Sequence, residues 1–262
     1  MIWQELQDLS DEYSKLDIQN IIDYEKFCMI SIIWHSTKIE GCSLNETDSR
    51  ILIENDITAK GKPLKDHLML KDHFAAYQFI NNEAKLKSKL SLDFIKKTAA
   101  LVMKNTGSLI NTIIGSFNTS EGDLRLAQVY VDKKYFPDYS KVPNLLMQLC
   151  ESTNNKIDSI SGINVLKLAA DLHYNFINIH PFGDGNGRTA RLLMNYVQIY
   201  HGHPPIKIFT EDRTDYIESL NETEEKENPD IFREFIAKQQ IKFLKLEIEK
   251  FRKKDSGFQF IF

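Results

Sequence analysis

The chain has 262 residues, enough for one large domain or two small ones, and its 42% hydrophobic content supplies a core. A formal net charge of −4 argues against bulk binding to nucleic acid or an anionic membrane. The N-terminus MIWQELQDLSDEY is acidic, no apolar run reaches bilayer length, and Cys28, Cys42 and Cys150 are scattered without metal or redox spacing. Together these predict no leader, no membrane span and free thiols in a soluble cytoplasmic protein.

Apolar residues recur at helical spacing from Ile18 to Ile39 (Ile18, Ile21, Ile22, Phe27, Ile30, Ile33, Trp34). This helix ends in HSTKIEG, where Gly41 suits the C′ position. Ser36 and Glu40 are four apart and share a face. A carboxylate at a helix C-terminus opposes the helix dipole, so Glu40 gains from a cationic partner; the plainer alternative is a solvated side chain. Ser43 to Glu46 fits a capping box that opens another helix. Residues 56–63 read as loop and 64–81 as helix, with Leu68, Phe74, Ala75 and Ile80 inward. His67 and His73 do not share a face well and read as ordinary polar residues rather than metal ligands. Residues 91–104 form a further helix with Leu92, Ile95, Ala99 and Val102 on one side.

Between Gly107 and Val142 the pattern changes. LAQVYV, Leu126 to Val131, alternates near period two behind the turn formers Glu121, Gly122 and Asp123, which predicts a short hairpin. Pro137 and Pro143 bracket the return to helix at residues 144–150. A helix follows with Ile163, Leu166, Ala169, Leu172, Phe176 and Ile179 at apolar positions. Its His173 and Asp171 need only ordinary helix contacts. Pro181 biases His180 away from helical conformations, so this helix ends near His180. RTARLLMNYVQIYHG then starts a second helix, closed by Gly202, Pro204 and Pro205.

The loop between these two helices carries the chemistry. Gly183, Gly185 and Gly187 allow unusual backbone conformations and a close approach to the main chain. Successive N–H groups opening a helix make an anion site. Arg188 and Arg191 share one helix face and suit a polyphosphate, which guanidinium groups hold in bidentate fashion. Asp184 offers a hard oxygen that suits Mg²⁺ carried in with phosphates. His180 is the side chain here that can accept a proton near neutral pH. Further on, residues 210–220 read as helix, 221–230 as acidic loop, and 231–251 as a long helix burying Phe232, Phe235, Ile236, Phe243 and Leu246. The tail GFQFIF is apolar and packs either on the body or at a dimer contact. His201 and His203 lack a nearby carboxylate and read as a satisfied or solvent-facing pair rather than a metal site.

HPFGDGNGRTAR, His180 to Arg191, matches HPFx(D/E)GNGRxxR at every fixed position, and the chain resembles the Fic-domain family. The resemblance implies an all-α, mainly helical fold with a short β-hairpin flap over the active site. It implies transfer of AMP from ATP to a Tyr, Thr or Ser hydroxyl of a target protein. His180 would take the hydroxyl proton as the oxygen attacks the α-phosphorus. Gly185, Asn186, Gly187, Arg188 and Arg191 would hold the phosphates, Asp184 the Mg²⁺, and Tyr216 would lie beside the adenine. S-x-x-x-E-G, Ser36 to Gly41, resembles the family's N-terminal inhibitory motif, which implies a Glu40–Arg191 salt bridge. In some relatives that Glu also supports removal of AMP. GDLRLAQVYV resembles the target-docking flap, with Arg125, Gln128 and Val129 at its typical positions. The domain plan is then an N-terminal helical region (1–90) carrying the inhibitory helix (about 18–41), a core (91–240) with flap (about 115–135) and motif (180–191), and a C-terminal helix end and tail (241–262). Alternatives are a Doc-like phosphotransferase, which the GNGR form argues against, a UMP or phosphocholine transferase, and a non-catalytic nucleotide-binding module.

Overall fold

Caps and breakers divide the chain into ten α-helices among the residues that the computed structural model describes, 1–16, 24–131 and 134–254. In order they are α1 (Ile2–Ser14), α2 (Tyr24–Ile39), α3 (Glu46–Asn55), α4 (Leu64–Lys85), α5 (Leu92–Met103), α6 (Val142–Ile157), α7 (Ile163–Ile179), α8 (Asn186–Tyr200), α9 (Arg213–Glu225) and α10 (Pro229–Lys254). Two antiparallel hairpins lie between α5 and α6: β1 (Leu109–Thr112) with β2 (Gly115–Asn118), and β3 (Tyr130–Val131) with β4 (Lys134–Tyr135). None of the helices among the described residues is long and apolar enough to cross a membrane.

The core is built around α8. Its sequence NGRTARLLMNYVQIY leaves only Gly187 and Ile199 part-exposed, so α8 is packed on nearly all sides, against α7, α4 and α5. Burying Leu192, Leu193, Met194, Tyr196 and Val197 contributes about 1.5–3 kcal/mol each before entropy is counted. Helix α2 is similarly wrapped, lying on α4 and α8 with Ile30, Ile32, Ile33 and Ile39 in the core. Helix α10 closes the opposite side against α1, α7 and α9. All three cysteines are buried and free.

Several elements differ from the sequence reading. Helix α3 is capped by Asn45, whose side chain accepts the Asp48 N–H at 2.7 Å, not by Ser43. Asn at N-cap is as strongly favoured as Ser. Helix α4 runs one turn further than residue 81 and turns Met69, Leu70, His73, Ala76, Tyr77 and Ile80 inward, leaving Leu68, Phe74 and Ala75 half-buried. The acidic stretch after residue 220 stays helical to Glu225, because Thr223 and Leu220 pack on the body. Leu246 is exposed, and Leu244 and Ile248 are buried instead. The strand expected at 126–131 shrinks to two residues, and the β1–β2 hairpin was not foreseen. The start of the helix expected from Ile18 and the GFQFIF tail lie outside the described residues.

Candidate active site

Pro181 cannot continue α7, and His180 closes that helix in the left-handed region with φ 49°. A non-glycine residue there persists only where its neighbours fix it. The fixing group is Arg125, which is fully buried. Its Nε donates to the His180 carbonyl at 2.8 Å, Nη1 to the Ala127 carbonyl at 2.7 Å and Nη2 to the Pro137 carbonyl at 2.5 Å. Its backbone N–H donates to the Pro181 carbonyl at 3.0 Å. Phe136 stacks on the imidazole with 4.1 Å between ring centroids. Nδ1 of His180 is buried, which leaves Nε2 as the nitrogen open to a substrate. Burial, and then the charge of Arg125, push the imidazole pKa down to about 4, so the ring is neutral at pH 7.

Asn186 braces the loop. Its Oδ1 accepts the Phe182 N–H at 3.0 Å and its Nδ2 donates to the Phe182 carbonyl at 2.9 Å. With the side chain committed to the Phe182 backbone, the Asn186 backbone N–H at the helix start is free for an anion. Of the three loop glycines, only Gly185 needs an unusual backbone, with φ +78°. Gly183 and Gly187 are required for the missing Cβ. At Gly183 it would stand 2.8 Å from the Phe117 ring, and at Gly187 2.5 Å from Oε1 of Glu40. Helix α8 starts without a side-chain cap, so its first-turn N–H groups point outward unpaired by the helix itself.

Glu40 stands over that helix start. Helix α2 ends in a Schellman turn: the Cys42 N–H donates to the Thr37 carbonyl, the Gly41 N–H to Lys38, and Gly41 takes φ +92°. This turn aims Glu40 at Arg191, whose Nη2 donates to Oε1 at 2.6 Å. Arg191 is buried and also donates Nε to Ser36 Oγ at 2.8 Å and Nη2 to the Ser36 carbonyl at 2.9 Å. Burial raises the Glu40 pKa, but Arg191, with Arg188 and Arg213 behind it, outweighs burial and holds the carboxyl below its ordinary value. Arg188 is buried too, donating Nη1 to the Val102 carbonyl at 3.3 Å and Nη2 to Met103 Sδ at 3.0 Å. His73 and His173 lie buried nearby, and burial plus the arginine charges keep both neutral. His73, read from the sequence as an ordinary polar residue, is thus part of the wall behind Arg191, as its place among the lining residues of a small cavity there shows.

Asp184 is exposed, accepts the Gly185 N–H at 2.5 Å and lies 3.8 Å from Arg188 Nη2. Among the described residues no three His, Cys, Asp or Glu side chains converge as a metal cage. A lone carboxylate fits Mg²⁺ when phosphates and waters complete the shell, so these residues suit a metal that arrives with a polyphosphate.

Tyr216, expected beside the adenine, lies next to Arg191. It is buried, its hydroxyl pairs with His173 Nε2 at 2.9 Å, and its ring packs with Phe232 and Phe235. Arg125, expected in the target-docking flap, clamps the His180 turn. Gln128 is exposed, donating Nε2 to the Phe136 carbonyl at 2.6 Å, and Val129 accepts the Phe136 N–H at 3.2 Å, which extends the β3–β4 pairing toward the site. Lys134 pins that hairpin to α7 and α9 through Asn178 and Glu224, both at 2.6 Å. Sequence reasoning missed the Arg125 clamp; an arginine in an apolar strand pattern was the available signal.

Residues 89–198 match the Fic/DOC family model. The chain belongs to the Fic/DOC family. It is 31% identical over 202 residues to the protein adenylyltransferase Fic of Aedes aegypti, an alignment covering 76% of this chain and 38% of that protein. The chain therefore spans well under half the length of that relative. Among solved structures, a Fic-domain signaling protein from Bacteroides thetaiotaomicron shares the fold with TM-score 0.80 at 23% identity, covering 95% of this chain and 98% of that one. Fic-1 of C. elegans, residues 134–508, superposes with TM-score 0.79 at 26% identity over 97% of this chain and 72% of that one.

Proposed function

We propose that this Fic protein is an adenylyltransferase that moves AMP from ATP to a Tyr, Thr or Ser hydroxyl of a target protein, and that Glu40 restrains it through Arg191. The observation that carries this reading is the position of Glu40. Its carboxylate lies over the uncapped start of α8 and on Arg191, an anion in the seat that a terminal phosphate would take. The mechanism follows from this chain's own groups. The first-turn N–H groups of Asn186, Gly187 and Arg188 hold phosphate oxygens, and Arg188 and Arg191 compensate the charge of the departing pyrophosphate. Asp184 would hold the Mg²⁺ that comes with ATP, which supplies further charge neutralisation on the phosphates. The β3–β4 hairpin presents its edge to the target segment, so that the hydroxyl reaches Nε2 of His180. Neutral His180 takes the hydroxyl proton as the oxygen attacks the α-phosphorus. Positioning and charge stabilisation do most of the work in such transfers. The three buried free thiols suit a reducing compartment such as the cytoplasm.

Removal of AMP is the second reading. It is supported by the Glu40 side chain, which keeps 35% of its surface exposed beside the loop and can orient a water there. The deciding experiment is intact-protein mass spectrometry after incubation with ATP and Mg²⁺. Glu40→Gly is expected to form an AMP adduct, and Glu40→Gly/His180→Ala to lose it while still binding ATP. A phosphate adduct, or AMP transfer that survives His180→Ala, overturns the reading.

A further inference from the structure

Beside the Ser36–Glu40 face, helix α2 carries a second, neighbouring face that makes contacts of its own. The neighbouring face is Ser31, His35 and Ile39, spaced four apart. Each of these is gripped by the segment that follows α8, residues 206–213. Lys207 Nζ reaches Ser31 Oγ at 3.4 Å. The Thr210 N–H donates to His35 Nδ1 at 3.1 Å, and Phe209 meets the His35 ring edge-on at 5.2 Å. Arg213 Nε donates to the Ile39 carbonyl at 2.9 Å, one residue before Glu40.

The strap is itself anchored at both ends to the frame. Asn195 of α8 brackets Ile206, accepting its N–H at 2.7 Å and donating to its carbonyl at 3.1 Å. Gln239 of α10 accepts the Phe209 N–H at 2.8 Å and donates to Asp212 at 2.9 Å. Lys242 pairs with Glu211 at 2.9 Å and Asp212 at 2.7 Å. Helix α8, which carries Arg191, therefore sets the position of α2 twice: directly through Arg191, and indirectly through the strap.

Arg213 is the informative residue. It is exposed, and it opens α9. A cation in the first turn of a helix opposes that helix's dipole, so Arg213 is not there to serve α9. It does satisfy a last-turn carbonyl of α2, at the end of a helix where a cation is favoured.

We infer that Arg213 is a positioning residue: with the 206–213 strap it caps the end of α2 and thereby holds Glu40 over the start of α8. This rests on the reading of Glu40 as a restraint. Loss of the capping bond then frees Glu40 and opens the anion seat without touching either Glu40 or Arg191.

The test measures Mg·ATP affinity by calorimetric titration, and hydrogen exchange of amides 36–42, in five proteins. Wild type and Glu40→Gly set the scale. Arg213→Ala is expected to bind ATP about fivefold more tightly than wild type, as loss of one hydrogen bond implies, and to exchange amides 36–42 faster. Arg213→Lys, which keeps a donor and the charge, is expected to stay close to wild type. Glu40→Gly/Arg213→Ala is expected to bind no more tightly than Glu40→Gly, since no restraint is left to release. If Glu40→Gly binds ATP no better than wild type, the restraint reading fails. If Glu40→Gly binds better while Arg213→Ala matches wild type in both affinity and exchange, the strap inference fails alone. Equal gains from Arg213→Ala with and without Glu40 overturn it as well.

Discussion

Replacing Glu40 with glycine removes the carboxylate from the start of α8. The pair it breaks is a charged hydrogen bond of 2.6 Å between a buried guanidinium and a carboxylate 35% exposed. Charge-assisted bonds contribute about 1.5–3 kcal/mol, and partial exposure favours the low end, about 1.5–2 kcal/mol. Arg191 keeps its two bonds to Ser36, so the guanidinium is not stranded in the core. If the lost energy went wholly to competition with the terminal phosphate, the productive population rises about 10- to 30-fold. The initial rate of AMP transfer, read by intact mass with ATP and Mg²⁺, is expected to rise by that factor. The same change removes a carboxylate held below its ordinary pKa of 4.5. Such a group stabilises the fold fully above the ordinary value and loses its contribution as pH falls through the depressed one. Wild type should therefore melt above Glu40→Gly at pH 7, and the gap should close in acid. A transfer rate unchanged or lowered by Glu40→Gly refutes the reasoning.

Other outcomes follow from the same geometry. His180 is neutral above its lowered pKa of about 4, so in the Glu40→Gly background the acid limb of kcat/KM should fall near that value in the free enzyme; a limb at the ordinary 6.5 contradicts the described environment of the ring. Gly187→Ala places a methyl 2.5 Å from Glu40 Oε1 and 3.1 Å from Arg191 Nη1, so it should displace Glu40 yet also block phosphate approach. Glu40→Gly/Gly187→Ala should then bind ATP more weakly than Glu40→Gly in titration, and equal affinity would show that Gly187 is not part of the seat. Arg125→Lys keeps the charge but loses the planar fork that satisfies three carbonyls; denaturant unfolding should show a loss of about 2–4 kcal/mol, together with lower transfer in the Glu40→Gly background.

Much of this site was legible because its determinants are local. Pro181 ends α7 wherever the rest of the chain lies, and glycines followed by an amphipathic run open α8 on their own. Glu40 was legible for a related reason: a carboxylate at a helix end opposes the dipole, so it asked for a cation, and the fold supplies Arg191. What could not be read arises where a side chain's partner is distant. The Arg125 clamp was not legible because only the fold brings the His180, Ala127 and Pro137 carbonyls around one guanidinium. Nothing in the Tyr216 helix reveals that His173, Phe232 and Phe235 pack around that side chain. Gly183 and Gly187 share with Gly185 the expectation of an unusual backbone, but their need is steric, imposed by Phe117 and Glu40 from other elements.

The start of α8 can serve one anion at a time. In the state described, that anion is the Glu40 carboxylate, covalently part of the chain and held close by the turn at Gly41. Its effective concentration is therefore set by how firmly α2 is positioned, not by Glu40 alone. On the proposed reading, each contact that fixes α2 against α8 should raise the ATP concentration needed to displace Glu40, and each that loosens it should lower that threshold. The strength of the restraint should accordingly respond to changes far from the phosphate seat, along the Ser31, His35 and Ile39 face.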